Sequence, residues 1–482
     1  MEKVSSTLSG NLSANWQTNQ GPRFSGKVDG GGDALPLNGS PKQSNFGSIV
    51  LRATQVEAER TLKKSDYPYI LTYYEVAVGK ILNIEEGAVI KAYYPDSKIE
   101  IKGSLNILGS DTQKVTMTSD NTSAKSWQGL MFYPGSSGSV VGLDIIYAGA
   151  NFRLPDANMW DLPVSQAIYS DSANLNISNS NFVDNGDVEI YNVNSNSSIS
   201  NTNFKNGVTA IEHHGGALAL DNIMVDGFSN PTGAIYVKDI WPQLNIINFS
   251  SSTNGAVNIA LATITSSVNV GTEIPINLEN LTIETGASLT VDKDVTFNLP
   301  EYSNIFIKGV LNLNGTQEKP IKFIGPGGLN QYWGHLVFDG GVGNLNSVNF
   351  SGGGYNYPGD SYKGVISINN DSQVTMENCQ LLDNRLPVEI IQINSSTVNL
   401  NNTSIGYSTK DTFFPNVKGI QVNSGSLSLD NSFFYNLTTG ITAGVVSPLP
   451  QLNLSNMDTR NFINVDTYWD SFAWFPAFTA SP

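Results

Sequence analysis

The sequence predicts an all-β chain wound as a solenoid of short stacked coils, and three observations lead there. Apolar and polar residues alternate in brief runs bounded by Gly and Asn, as in KIEIKGSLNIL (98–108), NIFIKGVLNLN (304–314) and GSLSLDN (425–431), the pattern of strands with one buried face. Similar segments begin at Ile177, Ile199, Leu220 and Leu244, at gaps of 22, 21 and 24 residues, a period typical of repeat architectures. A longer repeat lies over this one. Ile101-Lys102-Gly103 recurs as Ile307-Lys308-Gly309, Trp127 as Trp333, Leu220-Asp221-Asn222 as Leu429-Asp430-Asn431, and Pro242-Gln243-Leu244-Asn245 as Pro450-Gln451-Leu452-Asn453, at offsets of 206 to 209 residues.

Coils of this size cannot bury their inward residues alone and must stack, so Ile, Leu, Val and Phe at equivalent places are expected to form continuous ladders, with Ile101, Leu105, Ile107, Ile177, Ile199, Leu220 and Leu244 inside. Outward Asn and Ser at equivalent turns are expected to hydrogen-bond along the stack. Leucine-rich repeats share the period, but their Leu-x-x-Leu-x-Leu pattern is missing.

In chain order, residues 1–65 are expected to be a Gly-, Ser- and Asn-rich arm ending in a short capping segment. The arm carries GGGD at 30–33 and three prolines from Pro22 to Pro41, and TQVEAERTLKK (54–64) is the one run with helical composition. Residues 66–271 and 272–470 are two homologous coiled halves, expected end to end along one rod. Residues 471–482 form a tail. The aromatic run Tyr468, Trp469, Phe472, Trp474, Phe475 and Phe478 is expected to cap the unpaired edges of the last coil.

Composition narrows the function. With 26 basic and 42 acidic residues the net charge is −16, which argues against general nucleic-acid binding. Only 14% of residues are charged, against about a quarter in average domains. No run of apolar residues is long enough to span a membrane. The opening residues contain no signal-peptide core, so the chain either stays in the cell or has lost a leader. Cys379 is the sole cysteine and there are three histidines. No intrachain disulfide, cysteine zinc site or cofactor is therefore expected and three histidines leave little for a histidine metal site, while Ca²⁺ stays open although no motif for it is present.

Both halves carry a strand pair, then I-K-G-x-L-N-I/L-x-G, then a tryptophan before glycine, then Asn-rich coils. The series Ile84-Glu85-Glu86-Gly87-Ala88-Val89-Ile90-Lys91, Ile101-Lys102-Gly103-Ser104-Leu105, Val115-Thr116-Met117-Thr118-Ser119 and Trp127-Gln128-Gly129-Leu130-Met131-Phe132, echoed from Ile283 to Phe338 with Lys319-Pro320-Ile321, resembles the right-handed parallel β-helix repeat proteins of bacterial surfaces, a non-catalytic branch of the pectate-lyase-like superfamily. The resemblance covers most of the chain. It implies a right-handed, single-stranded parallel β-helix with internal duplication, located outside the cell or on its surface, in an adhesive or structural role.

The superfamily's hydrolase motifs (Asn-Thr-Asp, Asp-Asp, Gly-His-Gly, Arg-Ile-Lys) are missing, the nearest being Gly334-His335-Leu336. If Ile190, Ile211 and Ile235 point inward, Tyr191, Glu212, His214, Tyr236 and Lys238 share one outer face. Glu189, Glu212 and His214 are then the candidates for catalysis. Matching coils of the second half carry Gln392, Gln421 and Thr442, which favours an ordinary solvated face. Two loops at matching places, 152–163 and 354–363, offer Arg153, Trp160, Tyr355 and Tyr357 for stacking on sugar rings, whereas Trp127 and Trp333 read as turn packing. The expectation is a surface rod that binds polysaccharide or a partner surface without catalysis, either by itself or as part of a larger surface protein. A polysaccharide lyase or glycoside hydrolase, and a trimeric phage or virion fibre, are the alternatives.

Overall fold

A computed structural model describes residues 2–3, 16–17, 49–51, 59–151, 165–250, 253, 255–271, 274–327, 331–355, 362–384, 389–408, 418–437, 439–444, 450–456 and 479–481. Among these every regular element is a strand. No helix is long and apolar enough to cross a membrane. The chain forms two compact units, Met1–Val237 with Pro242–Gly255, and Lys238–Trp241 with Ala256–Pro482.

Within the first unit each turn of chain contributes three strands, and each strand pairs in parallel with its counterpart one turn later. Ile81–Glu85, Ser104–Leu108, Ser137–Val141, Asn174–Ser178, Asn196–Gly207 and Leu218–Phe228 make one sheet, consistent with a β-solenoid. The register carries the buried series Ile84, Ile107, Val140, Ile177, Ile199 and Leu220 in line. A neighbouring sheet aligns Ile90, Met117, Ile145, Phe182, Phe204 and Val225, with the Phe182 and Phe204 rings stacked 4.9 Å apart. A third aligns Ile99, Leu130, Ile168, Ile190 and Ile211. Residues at period 2 therefore feed three apolar ladders.

The second unit repeats the plan. Val291, Leu313, Leu345, Met376, Leu400 and Leu429 form one ladder; Phe297, Phe323, Phe350, Leu381, Ile405 and Phe434 form another. Trp127 and Trp333 are both fully buried turn anchors, donating Nε1–H to the carbonyls of Ile146 and Ser351 at 3.0 Å each. Both units also use a glycine for a close approach. A Cβ on Gly138 would lie 2.7 Å from the Phe132 ring, and one on Gly343 would lie 2.6 Å from the Phe338 ring.

Two expectations need correction. The run read as helical contains a strand, Arg60–Leu62, paired with Leu82–Ile84. Leu62 is buried beside Ile84 as the first rung of the ladder, so tertiary pairing overrides local helix propensity; residues 54–58 lie outside the described residues. Leu244 is only half-buried, because its strand, Gln243–Phe249, buries Ile247 alone. The other six predicted core residues are buried. Within the arm, Glu2–Lys3 pairs antiparallel with Trp16–Gln17. In the tail, Thr479–Ser481 pairs in parallel with Asn453–Ser455, and the aromatic run 468–478 lies outside the described residues.

The turns explain the excess of asparagine. Asn179, Asn201 and Asn222 occupy one corner of successive turns with φ of 52°, 47° and 52°, a left-handed conformation that Asn tolerates best among residues with a Cβ. Asn222 Nδ2 donates to Asn201 Oδ1 at 2.7 Å. In the second unit Asn378 and Asn402 do the same, also at 2.7 Å. A neutral residue suited to left-handed turns thus replaces charge as the polar coat. The next place in the first column holds Ile246, exposed and at φ 47°, a strained setting for a β-branched side chain. Ile246→Asn is expected to stabilise the first unit by about 1 kcal/mol by relieving that strain. Thermal denaturation checks this, and a lower midpoint would contradict it.

Candidate functional site

The outward row of the third sheet in the first unit concentrates chemistry. Parallel register brings Glu75, Glu100, Met131, Tyr169, Tyr191 and Glu212 into one line across successive turns, about 4.8 Å apart. The lower end is polar. Tyr73 donates its hydroxyl to Glu100 Oε2 at 2.7 Å and approaches Glu75 Oε2 at 3.2 Å, and the Tyr133 hydroxyl reaches Glu100 Oε1 at 3.3 Å. Lys98 pairs with Glu100 at 3.1 Å and Lys102 with Glu75 at 3.2 Å, while Lys102 Nζ lies 5.8 Å above the Tyr133 ring.

Burial pushes the Glu100 carboxyl upward, but the Tyr73 hydroxyl and the Lys98 and Lys102 ammonium groups outweigh it and hold Glu100 below the usual carboxylate range. Burial, reinforced by Glu100, pushes the Tyr73 and Tyr133 phenols well up. They are hydrogen-bond donors at neutral pH.

Midway, Met131 and Tyr169 form a buried patch against Tyr133, Tyr191 and Val193. Above it the aromatic groups continue. Tyr169 and Tyr191 stack at 6.1 Å, the Tyr191 and His214 rings lie 5.5 Å apart, and the His214 and Tyr236 rings 5.7 Å apart. His214 Nε2 is 2.8 Å from Glu212 Oε1. Burial, then the Glu212 charge, raises the Tyr191 phenol.

The structure thus brings Tyr191, Glu212, His214 and Tyr236 together. It separates Glu189, which is fully buried, accepts from Asn185 Nδ2 at 2.6 Å and leaves its other oxygen unpartnered. Burial pushes that carboxyl well above the carboxylate range. The expected trio Glu189, Glu212 and His214 therefore does not share one solvent face. His213, next to His214, points inward and is fully buried, with Nδ1 3.2 Å from Asn192 Nδ2. Arg153, Trp160 and Tyr357 lie outside the described residues; Tyr355 packs edge-on against Tyr302 at 4.5 Å.

Sequence reading missed Tyr73, Glu75, Lys98, Glu100, Lys102, Tyr133 and Tyr169. The available signal was the period, since Tyr169 stands 22 residues before Tyr191 in a matching strand.

Hydrolysis by two carboxylates needs one of them protonated to act as the acid. Glu75 and Glu100 share the Tyr73 hydroxyl, but each is tied to a lysine and Glu100 is held ionised. Glu212 is tied to the His214 ring at 2.8 Å. The row offers donors and acceptors at strand spacing, a surface suited to holding a polar chain. In the second unit the matching row is Val337, Ser367, Gln392, Gln421 and Thr442. Among the described residues no cluster of three or more His, Cys, Asp or Glu side chains is arranged around a metal position.

No protein-family model matches the chain. No curated protein matches it either.

Proposed function

We propose that each unit is a right-handed parallel β-helix of the pectate-lyase-like kind, and that the protein is a secreted or surface-displayed structural or adhesive module that binds a glycan chain without cleaving it. The observation that carries this reading is a pair of polar and aromatic clusters on one outer face of the first unit, Tyr73, Glu75, Lys98, Lys102 and Tyr133 on one side of the buried Met131 and Tyr169 and Tyr191, Glu212, His214 and Tyr236 on the other. Their phenols and ammonium groups are donors, Glu75 and Glu212 are acceptors, and the spacing repeats at about 4.8 Å. A flexible chain with a hydroxyl-rich repeat can meet several turns at once.

The competing reading is a polysaccharide lyase or hydrolase centred on Glu212 and His214, supported by their 2.8 Å contact. The experiment is a polysaccharide panel, acidic and neutral, with and without Ca²⁺, scored for retention and for new reducing ends or unsaturated products. Retention without product is expected. Product that disappears in Glu212→Gln would make the enzyme reading the correct one.

A further inference from the structure

A second feature recurs in both units, away from that row. In the first unit the turn Tyr94-Pro95-Asp96-Ser97 closes with Ser97 N–H donating to the Tyr94 carbonyl at 3.0 Å. In the second, Pro300-Glu301-Tyr302-Ser303 closes with Ser303 N–H donating to the Pro300 carbonyl at 3.2 Å. The turns are equivalent, because the chain next receives the same bonds. Gln128 N–H reaches the Ser97 carbonyl at 2.9 Å and Gly334 N–H the Ser303 carbonyl at 2.8 Å, one residue after Trp127 and Trp333.

Each turn carries an edge-to-face tyrosine pair with nearly the same geometry. Tyr93 and Tyr94 lie 4.6 Å apart at 85°, and Tyr302 and Tyr355 lie 4.5 Å apart at 83°. The residues are not equivalent in sequence: Tyr93 and Tyr94 correspond to Leu299 and Pro300 at the 206-residue offset. The same surface device is built twice from different positions, which packing of the turn alone does not require. Tyr93, Tyr94 and Tyr302 are 44%, 52% and 45% exposed, high for rings that usually bury most of their area. Tyr302 adopts φ 68°, a strained backbone for a bulky residue that the turn nonetheless keeps. Strain of this kind concentrates at ligand clamps.

We propose that each tyrosine pair is a platform for one pyranose residue of a neutral glycan. One ring offers its face to the apolar C–H side of the sugar; the Tyr302 hydroxyl is hydrogen-bonded to Glu301 and Tyr355, so in the second unit the pair acts through its ring face. Asp96 and Glu301 flank the rings and the chain carries −16 net charge, so uronate-rich ligands are disfavoured by like charge. The ligand class rests on the glycan-binding reading, whereas the positions do not.

The test uses the full chain carrying Tyr191→Ala and Tyr236→Ala, so that the aromatic anchors of the outer row are removed. It is titrated calorimetrically with cellotriose, mannotriose, chitotriose and trigalacturonate. One neutral trisaccharide is expected to bind with a stoichiometry of two, and trigalacturonate at least tenfold more weakly. Tyr93→Ala with Tyr94→Ala should reduce the stoichiometry to one, as should Tyr302→Ala with Tyr355→Ala. Tyr302→Gly should raise the melting temperature while weakening the second event at least tenfold, a combination that a purely structural tyrosine would not give. The proposal is overturned if no neutral trisaccharide binds, if the stoichiometry ignores these substitutions, or if trigalacturonate binds as well. Loss of trisaccharide binding with polysaccharide still retained by the unsubstituted protein would remove the tyrosine platforms and leave the outer-row reading standing.

Discussion

Leu220→Asp is expected to cost the first unit on the order of 5 kcal/mol, enough to unfold it. Leu220 is 1% exposed and paired with Ile199 in the apolar ladder that runs from Leu62 through Ile84 and Ile177. The substitution removes a buried leucine, worth about 2–5 kcal/mol as a cavity, and adds a carboxylate with no partner. Ser198→Asp, one residue from Ile199 on the exposed side of the neighbouring strand, should change stability by no more than about 0.5 kcal/mol. The contrast tests strand phase, because a slip of one residue would exchange the two outcomes. Denaturant unfolding of both variants decides it, and equal effects would contradict the ladder.

The second large effect is on pH dependence, and two buried groups in the first unit oppose each other. Burial holds the His213 imidazole down to about 4 from an ordinary 6.5. Between those values the unfolded chain binds more protons, so stability from this group rises with pH across the window, by about 3 kcal/mol in total. Burial raises Glu189. From the ordinary carboxylate value upward the folded chain binds more protons, so stability from Glu189 falls as pH rises. The two contributions oppose each other where their windows overlap, above the ordinary carboxylate value and below the ordinary imidazole value of 6.5.

Glu189→Gln keeps an acceptor for Asn185 and removes the proton uptake that burial imposes on the carboxyl. It is expected to raise stability at pH 7 by roughly 1–3 kcal/mol and to remove the fall in stability that begins above the ordinary carboxylate value. His213→Gln is expected to remove the acid-side loss. Chemical denaturation from pH 4 to pH 9 measures both, and an unchanged profile in either variant would contradict the assignment.

The apolar ladders were legible because period-2 alternation and a low-twenties spacing are written directly in residues such as Ile177 and Ile199, whose neighbours one coil away have the same character. Arg60–Leu62 was not, since three residues in a charged run carry helix propensity and their strand state comes from pairing with Leu82–Ile84. The outer row was half legible. Tyr191, Glu212, His214 and Tyr236 fall on consecutive matching segments. Glu100 and Tyr133 meet across 33 residues, because the intervening turn is long and breaks the period. Glu189 defeated alternation for another reason. It shares parity with Tyr191, yet Asn185 captures its side chain in the interior, a contact that depends on a local turn rather than on strand phase.

Binding by the outer row without turnover is measured with one retained polysaccharide against the parent protein and against Tyr191→Ala with Tyr236→Ala. The double variant is expected to bind roughly 10- to 100-fold more weakly, about 1–3 kcal/mol for lost aromatic anchors, and neither protein is expected to release product. Undiminished binding by the double variant, or product from the parent that vanishes in Glu212→Gln, would contradict it.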